Sequence, residues 1–219
     1  MTLKAVIFDL DGVLTNTAEY HYRTWQRLCD EEGISFSREK NELLRGTPRH
    51  RSLELILGDH KVSPARFEEM LRRKNDYFQV MLPEMTTDDL LPGIADLLDE
   101  LEKAGILMGV GSASRNARPV LEALGISPRF QVIADAYSVR LSKPAPDVFL
   151  FAARQMGVEA HECVVVEDAI SGVDAALTGG FGTVGIGPTT RVGHAHVRLD
   201  DTKRLTLAQL RLAHERARV

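Results

Sequence analysis

The chain has 219 residues, of which 44% are hydrophobic, and its formal net charge is −4. The length suits one large domain or a core with a smaller insertion, and the apolar content excludes a disordered chain. A nucleic-acid-binding surface needs a basic excess, so we expect no nucleic-acid partner. No apolar run is long enough to span a bilayer, and the first residues lack the pattern of a signal peptide, so we expect no membrane association.

The two cysteines, Cys29 and Cys163, lie far apart on apolar patterns. This arrangement predicts buried, reduced thiols in a cytoplasmic protein. We expect a monomer, while the sequence itself does not fix the oligomeric state.

Short apolar runs, typical of strands buried on both faces of a sheet, recur along the chain. They cover residues 5–8, 106–110, 132–134, 163–166 and 183–186. Helical patterns lie between them, and Gly105 and Gly157 are placed to end two of these helices. The alternation predicts an α/β fold with a doubly wound, Rossmann-like parallel sheet, in which ligands bind at the carboxyl ends of the strands.

Residues 15–91 interrupt this alternation with four helical patterns and no convincing strand. We therefore predict a catalytic core of residues 1–14 and 92–219 and an inserted α-helical cap domain of residues 15–91. Capping signals predict three helix starts in the cap. These are Asn16 with Glu19, Thr47 before Pro48, and Ser63 before Pro64.

The first predicted strand leads into two carboxylates, Asp9 and Asp11. Two residues apart on an extended chain, they point the same way, about 6–7 Å from each other. Such a pair can share a magnesium ion, which favours carboxylate and phosphate oxygens. One carboxylate can attack phosphorus to form an acyl phosphate while the other transfers a proton. The motif favours metal-dependent phosphoryl transfer over a surface turn.

Polar side chains also follow the other predicted strands. Ser112 comes after the second strand near a helix start, where a hydroxyl and free amides suit an anion. Lys143 precedes a helix and offers a point charge to a phosphate. Glu167 and Asp168 end a fourth strand and would repel Asp9 unless a cation lies among them. An N-cap serine and a solvated lysine are the alternatives, but four sites at four strand ends favour one catalytic centre.

These motifs and the helical insert resemble the haloacid-dehalogenase-type phosphotransferase superfamily over nearly the whole chain. The resemblance implies that Asp9 is the nucleophile and Asp11 the general acid/base. It implies a Mg²⁺ cofactor held by the Asp9 carboxylate, the Asp11 backbone carbonyl and Asp168, with Glu167 close by. The residues that it places on the transferred phosphoryl group are Ser112 and Lys143.

The cap contains three features that distinguish a mutase from a phosphatase. Lys74 lies on the apolar stripe of one predicted helix, and His21 lies on the apolar face of another. Arg45, Gly46 and Arg49 flank a helix boundary, where two arginines suit a dianionic phosphate. The alternatives are a lysine that snorkels to solvent, a core histidine and a solvated turn.

Several segments resemble the sugar-phosphate mutases of that superfamily. They are Thr17-Ala-Glu-Tyr-His21, Gly46 with Arg49, Arg73-Lys-Asn75, Gly111-Ser-Ala-Ser-Arg-Asn116 and Ser142-Lys-Pro-Ala-Pro-Asp147. The resemblance implies conversion of β-D-glucose 1-phosphate to glucose 6-phosphate through β-D-glucose 1,6-bisphosphate. Such a bisphosphate presents each of its phosphates to the nucleophile in turn.

The same resemblance implies roles for the cap and for the loop after the second strand. Arg49 would hold the phosphate that is not being transferred. His21 and Lys74 would couple cap closure to activation of the nucleophile, and Thr17 would position the hinge and Asp11. The residues implied around the substrate are Arg45, Gly46, Ala113, Ser114 and Asn116, of which Ser114 and Asn116 join the distal phosphate site.

Three positions depart from the mutase pattern, namely Arg45 in place of lysine, Asn16 in place of an acidic residue and Ala169 in place of serine. Arginine keeps the charge but changes its geometry. Three other functions stay open, in decreasing order of support. They are a sugar-phosphate phosphatase, a non-catalytic sugar-phosphate-binding regulator and a nucleotide-binding oxidoreductase. The last lacks a complete Gly-x-Gly-x-x-Gly motif after the first strand.

Overall fold

The computed structural model describes residues 2–218 and contains one six-stranded parallel sheet, with the strand order β3-β2-β1-β4-β5-β6. The strands are β1 (Ala5–Phe8), β2 (Leu107–Gly111), β3 (Val132–Ala134), β4 (Cys163–Glu167), β5 (Gly182–Ile186) and β6 (Val197–Leu199). The five apolar runs of the sequence all form strands, with boundaries shifted by at most one residue. The sequence analysis missed β6, a three-residue edge strand whose central Arg198 is exposed.

Ten α-helices accompany the sheet in the described part of the chain. They are α1 (Ala18–Glu32), α2 (Arg38–Glu42), α3 (Arg49–Leu57), α4 (Pro64–Met81), α5 (Ile94–Lys103), α6 (Ala117–Ala123), α7 (Asp147–Gln155), α8 (Ile170–Thr178), α9 (Thr189–Val192) and α10 (Leu207–Arg216). Within residues 2–218, no helix combines the length and apolarity needed to cross a membrane. The parallel sheet, its strand order and the helices along the chain confirm the doubly wound α/β fold.

Alternate residues of the central strand β1 serve two separate cores. Val6 and Phe8 belong to the apolar cluster on one face of the sheet, whereas Ala5 and Ile7 belong to the cluster on the other. This follows from the two-residue period of a strand, which sends successive side chains to opposite faces. Both faces are covered by helices, so every residue of β1 is fully buried.

Helices α1 to α4 enclose an apolar cluster of their own. Its members include Trp25, Leu28, Leu53 and Met70. The chain enters and leaves this helical segment at one place, where the amide of Leu91 donates to the Leu14 carbonyl at 2.9 Å. This crossing agrees with the predicted exits, and the domain boundaries at 14/15 and 91/92 stay a prediction. Cys29 and Cys163 are free and buried, as expected.

One of the three predicted cap-helix starts is right and two are wrong. Ser63 caps α4 by accepting a hydrogen bond from the Arg66 amide, with Pro64 at the first helical position. Helix α1 begins after Thr17, not Asn16, whose side chain accepts a bond from Ala18 alone. The reason is that Glu19 turns outward to pair with arginines instead of closing a capping box.

The third start, α3, begins one residue later than predicted. Pro48 has the extended backbone of a cap residue (φ −60°, ψ 148°), and the first helical residue is Arg49. The Thr47 hydroxyl donates to the Leu44 carbonyl at 2.6 Å and pairs with the Ser52 hydroxyl at 2.8 Å, so its hydrogen bonds go to these groups and not to the first amides of α3. The shift places Arg49 in the first turn of α3.

We expect replacement of Phe149 by alanine to lower the urea midpoint of unfolding strongly. Phe149 is fully buried on the sheet, where its ring packs edge-on against Phe181, with 6.2 Å between the ring centroids. Emptying such a site costs about 3–5 kcal/mol. The matched control is Val80→Ala, because Val80 is 74% exposed on α4. Equal midpoints for the two variants would show that this core does not stabilise the fold.

Candidate active site

The carboxyl edge of the sheet brings together residues that are far apart in sequence. Asp9 follows β1, Ser112 follows β2, and Glu167 ends β4 with Asp168 directly after it. Lys143 lies in the loop between β3 and α7. All five are buried, although they are polar or charged. The order of motifs along the sequence therefore predicted their convergence in space.

Lys143 joins two of these carboxylates. Its Nζ atom lies 2.6 Å from Asp9 Oδ1 and 2.6 Å from Glu167 Oε1, and its side chain is almost fully buried. Burial by itself lowers the pKa of Lys143, but the two carboxylates outweigh this and hold the pKa above its usual range. The two carboxylates therefore favour the charged ammonium form, and the alternative of a solvated lysine is wrong, because the side chain is buried.

The acidic groups around Asp9 repel one another. Burial raises the pKa of Asp9 well above its usual value, Lys143 lowers it, and Glu167, Asp11 and Asp168 raise it. Burial, followed by Glu167, also raises the pKa of Asp168 to about 6. Lys143 alone does not balance this cluster, and a bound cation would do so.

Three of these carboxylates form a candidate metal site. Oxygen atoms of Asp9, Glu167 and Asp168 all lie within 4.8 Å of one another, and all three residues are buried. An oxygen-only donor set of this kind fits Mg²⁺. Among the described residues, the Asp11 side chain is not part of this cluster, and the contribution of the Asp11 backbone carbonyl stays a prediction.

Glu167 is held at both oxygen atoms. Oε1 accepts from Lys143, and Oε2 accepts from the amides of Asp168 and Ala169, each at 2.8 Å. A Cβ atom at position 172 would lie 1.8 Å from Glu167 Oε1, so only glycine fits there. This packing fixes the Glu167 carboxylate and, through it, the direction of Lys143.

Asp168 is contacted from the helical segment. Arg45 donates from Nη1 to Asp168 Oδ2 at 2.7 Å, and its other nitrogen atoms contact the Glu42 carboxylate at 3.2–3.3 Å. Arg191 donates to the Asp168 backbone carbonyl at 2.6 Å. Arg45 was expected at the substrate phosphate; here it contacts Asp168 and also lines the cavity, and its part in substrate binding stays a prediction.

A second chain of polar contacts leads from Asp11 into the helical segment. The Thr17 hydroxyl donates to Asp11 Oδ1, and His21 Nε2 lies 3.8 Å from the same oxygen. His21 Nδ1 lies 2.8 Å from Lys74 Nζ, and the His21 ring stacks on Phe78. Burial and the charges of Lys74 and Arg49 lower the pKa of His21 well below its usual value. This favours the neutral imidazole, in which Nδ1 accepts from Lys74 and Nε2 carries the proton toward Asp11 when Lys74 is charged.

Lys74 is 2% exposed, so the alternative of a lysine that snorkels to solvent is wrong. Its Nζ atom lies 4.9 Å from the centroid of Phe78 and 5.2 Å from that of Trp25. Burial, and then the charge of Arg49, lower its pKa to about 7, whereas Asp11 opposes this shift. Lys74 thus changes its charge near neutral pH.

The loop after β2 is joined to helix α4 by side-chain hydrogen bonds. The Ser112 hydroxyl accepts from the Ser114 amide at 3.0 Å, and the Ser114 hydroxyl accepts from the Asn116 amide at 3.1 Å. The Asn116 side chain donates to Asn75 at 3.1 Å and accepts from Gln79 at 2.9 Å. Sequence reasoning expected Asn116 at a phosphate, and here its amide joins the loop to α4.

A cavity of about 590 Å³ lies between the sheet edge and the helical segment. The expected site residues that line it are Asp9, Asp11, Thr17, His21, Arg45, Gly46, Arg49, Lys74, Ala113, Ser114 and Lys143. Four other expected residues do not line it, namely Ser112, Asn116, Glu167 and Asp168, which are buried. Most of the predicted site thus surrounds one space.

Sequence reasoning did not single out three arginines that also line the cavity, Arg72, Arg115 and Arg140. Arg115 lies within a segment that carried the resemblance, whereas no pattern distinguished Arg72 and Arg140 from surface arginines. Burial, and then Arg115, lower the pKa of Arg49, because positive charges gather at this part of the wall. Such a wall suits an anionic ligand.

We predict that Lys74 destabilises the fold at low pH and that this effect fades between about pH 7 and pH 10. The quantity that shows it is the unfolding free energy of wild type minus that of Lys74→Met, which should rise over this range. Lys74 has a folded-state pKa of about 7 against its usual 10.5. Its charge therefore destabilises the fold fully below pH 7, and this penalty disappears as pH rises toward the unfolded-state pKa. The slope is at most about 1.4 kcal/mol per pH unit.

Urea unfolding at several pH values measures this difference. The exposed Lys61, replaced by methionine, is the matched control, for which we expect a pH profile parallel to that of wild type. A parallel profile for Lys74→Met as well would contradict the lowered pKa of Lys74.

Comparison with known proteins places this site in a family. The family described as haloacid dehalogenase-like hydrolase matches residues 3–180. The β-phosphoglucomutase of Bacillus subtilis (strain 168) is 39% identical over 221 residues, which cover 99% of this chain and 98% of the relative. The fructose-1-phosphate phosphatase YqaB of Escherichia coli (strain K12) is 30% identical over 183 residues, which cover 83% of this chain and 95% of the relative.

Solved structures agree with these sequence matches. The β-phosphoglucomutase of Clostridium difficile matches with a TM-score of 0.92 and 37% identity over 98% of both chains. CbbY from Rhodobacter sphaeroides, solved in complex with phosphate, matches with a TM-score of 0.83 and 29% identity over 95% of this chain and 99% of the other. The expected superfamily is confirmed, and the chain belongs to the haloacid dehalogenase-like hydrolases.

Proposed function

We propose that this chain is a β-phosphoglucomutase, which interconverts β-D-glucose 1-phosphate and glucose 6-phosphate through β-glucose 1,6-bisphosphate. The observation that carries this proposal is one cavity that has the carboxylates and Lys143 on the side of the sheet and cationic side chains on the side of the helical segment. Asp9, Asp11 and Lys143 come from the sheet edge, and Arg49 and Lys74 come from the helical segment. The whole-chain similarity to two β-phosphoglucomutases supports the same reaction.

In this reaction, an Asp9 carboxylate oxygen attacks one phosphorus of the bisphosphate, the bond from that phosphorus to the sugar oxygen breaks, and an acyl phosphate and a sugar monophosphate result. Transfer back to a hydroxyl group of the monophosphate regenerates the bisphosphate and the free Asp9 carboxylate. Lys143 favours the ionised form of Asp9, because its ammonium group lies 2.6 Å from Asp9 Oδ1. Lys143 and Ser112 are also the residues proposed for the phosphoryl oxygens, where a cation and a hydroxyl balance negative charge.

Asp11 is the proposed general acid/base. It protonates the sugar oxygen as the phosphoryl group leaves and removes a proton from the hydroxyl group that attacks next. Burial raises the pKa of Asp11, which favours the protonated acid, while the Thr17 hydrogen bond opposes this. Thr17 and His21 contact the same oxygen of Asp11 and would fix its direction.

The metal-binding residues proposed are Asp9, Asp168 and the backbone carbonyl of Asp11, with Glu167 beside them. When bound there, Mg²⁺ supplies positive charge to the oxygens of the transferring phosphoryl group. Because both oxygens of Glu167 already accept hydrogen bonds, its proposed part is to hold Lys143 near the metal site.

A mutase needs a place for the second phosphate of its bisphosphate intermediate. Arg49 is the proposed main ligand, since it lines the cavity in the first turn of α3. The other residues proposed around the sugar and its distal phosphate are Arg45, Gly46, Ala113, Ser114 and Asn116.

A sugar-phosphate phosphatase is the second candidate, because the E. coli relative bears the name of a fructose-1-phosphate phosphatase. The two functions differ in whether water or a sugar hydroxyl accepts the phosphoryl group from Asp9. A non-catalytic regulator is disfavoured, since Asp9 and Asp11 both line the cavity.

A two-product assay tests the proposed function. The protein is incubated with Mg²⁺, β-glucose 1-phosphate and a trace of glucose 1,6-bisphosphate, and glucose 6-phosphate and inorganic phosphate are followed in parallel. We expect glucose 6-phosphate to form much faster than inorganic phosphate. The α anomer is the control substrate, from which we expect no glucose 6-phosphate. Inorganic phosphate as the main product would identify a phosphatase instead.

We predict that Arg49→Ala slows turnover with glucose 1,6-bisphosphate much more than turnover with a small acyl phosphate. The loss should reach roughly tenfold or more, since one charge-assisted contact to the distal phosphate is removed. Arg51→Ala is the matched control, because Arg51 lies on the same helix and pairs with Glu54 at the surface. Equal losses of turnover on both substrates would contradict the assignment of Arg49 to the distal phosphate site.

A further inference from the structure

The Arg45–Asp168 ion pair joins the helical segment to the sheet at the candidate metal site. Arg45 lies between α2 and α3, and Asp168 lies directly after β4, 123 residues away along the chain. The Arg45 Nη1–Asp168 Oδ2 distance is 2.7 Å, and the Asp168 side chain is 4% exposed. The Arg45 side chain is 25% exposed, so this charge-assisted hydrogen bond is partly buried and is stronger than one at the surface.

Two cations serve the three carboxylates of the cluster, with Lys143 shared by Asp9 and Glu167 and Arg45 on Asp168. Lys143 lies between Asp9 and Glu167, at 2.6 Å from each, and does not contact Asp168 in this arrangement. Asp168 receives its counter-charge from Arg45, and Arg191 is farther away, at 4.0 Å from the same oxygen. Arg45 is thus the nearest positive charge on the third carboxylate of the cluster.

A divalent cation and this guanidinium cannot both be close to the Asp168 carboxylate without strong repulsion. We propose that Arg45 and Mg²⁺ compete for Asp168, so that metal binding releases Arg45 from the sheet. Arg45 is here a positioning residue that acts through Asp168. This inference rests on the metal site of the proposed function.

The contacts of Arg45 within the helical segment make such a release feasible. Its Nε and Nη2 atoms remain on the Glu42 carboxylate at 3.2–3.3 Å, so the guanidinium keeps a partner when it leaves Asp168. Arg45 already lines the cavity, so the freed Nη1 atom would lie near it. Metal binding would therefore release the Arg45 guanidinium from the contact between the helical segment and the sheet and make it available to an anionic substrate.

The contact between the loop of residues 43–48 and the residues after β4 is closely packed. A Cβ atom on Gly46 would lie 2.7 Å from the Cβ atom of Ala169, the residue after Asp168. Loss of the ion pair at this point would loosen the contact between the loop of residues 43–48 and the start of α8. Because coupling is reciprocal, a protein without the pair should bind Mg²⁺ more tightly.

Titration calorimetry with MgCl₂ alone, at low ionic strength, tests the competition without substrate or catalysis. We expect Arg45→Met to bind Mg²⁺ at least about tenfold more tightly than wild type, and Arg45→Lys to lie between them. Arg140→Met is the matched control, because Arg140 lines the same cavity and, within residues 2–218, forms no ion pair with Asp9, Glu167 or Asp168. We expect its affinity to stay within about twofold of wild type.

Hydrogen exchange gives a second readout. In wild type, Mg²⁺ should increase exchange at residues 43–48, and in Arg45→Met exchange there should be high with or without Mg²⁺. Circular dichroism checks that both variants fold. Equal Mg²⁺ affinities of wild type and Arg45→Met, or equal gains in Arg45→Met and Arg140→Met, would overturn the competition.

The outcomes separate this inference from the proposed function. If wild type binds Mg²⁺ and forms glucose 6-phosphate while Arg45→Met gains no affinity, the competition is wrong and the mutase stands. If no protein binds Mg²⁺, the metal site and the competition are both wrong, whatever the product assay shows.

Discussion

The contact of Lys143 with Asp9 and Glu167 is the interaction on which the site depends. Five polar residues are buried at one edge of the sheet, and without an internal cation the carboxylates among them could not remain charged. Lys143 supplies that cation at 2.6 Å from two of them. Glu167 is fixed in turn by two backbone amides and by the absence of a side chain at Gly172. Lys143 thus favours the ionised form of Asp9, and groups from the neighbouring loop and strand orient its carboxylate.

The helical segment adds a second set of charges that face this edge. Lys74 is buried between aromatic rings and bonded to a neutral His21, which points toward Asp11. Arg45 holds Asp168, and Arg49 lines the cavity from the first turn of α3. Asp11 and Asp168 therefore have partners on the helical segment, whereas Asp9 and Glu167 share Lys143 of the core. The charge balance of the site thus depends on how the helical segment packs against the sheet edge.

The sequence predicted most of the fold, because buried parallel strands appear as short apolar runs and the chemistry follows them directly. Strand β6 was missed since Arg198 breaks its apolar pattern, and the start of α3 was misplaced since Pro48 itself takes the cap position. The site residues were found from strand ends, but not their contacts. No local pattern shows that Arg45 reaches Asp168, or that Asn116 is bonded to α4, because such pairs depend on how the two segments pack.

The central claim is that Asp9 carries the phosphoryl group. Rapid acid quenching after incubation with Mg²⁺ and a small acyl phosphate, followed by peptide mass spectrometry, tests it most directly. The account predicts one added phosphoryl group on the peptide containing Asp9, and none in Asp9→Asn, in which the attacking oxygen is replaced. A phosphoryl group on another residue, or an unchanged yield in Asp9→Asn, would contradict the account.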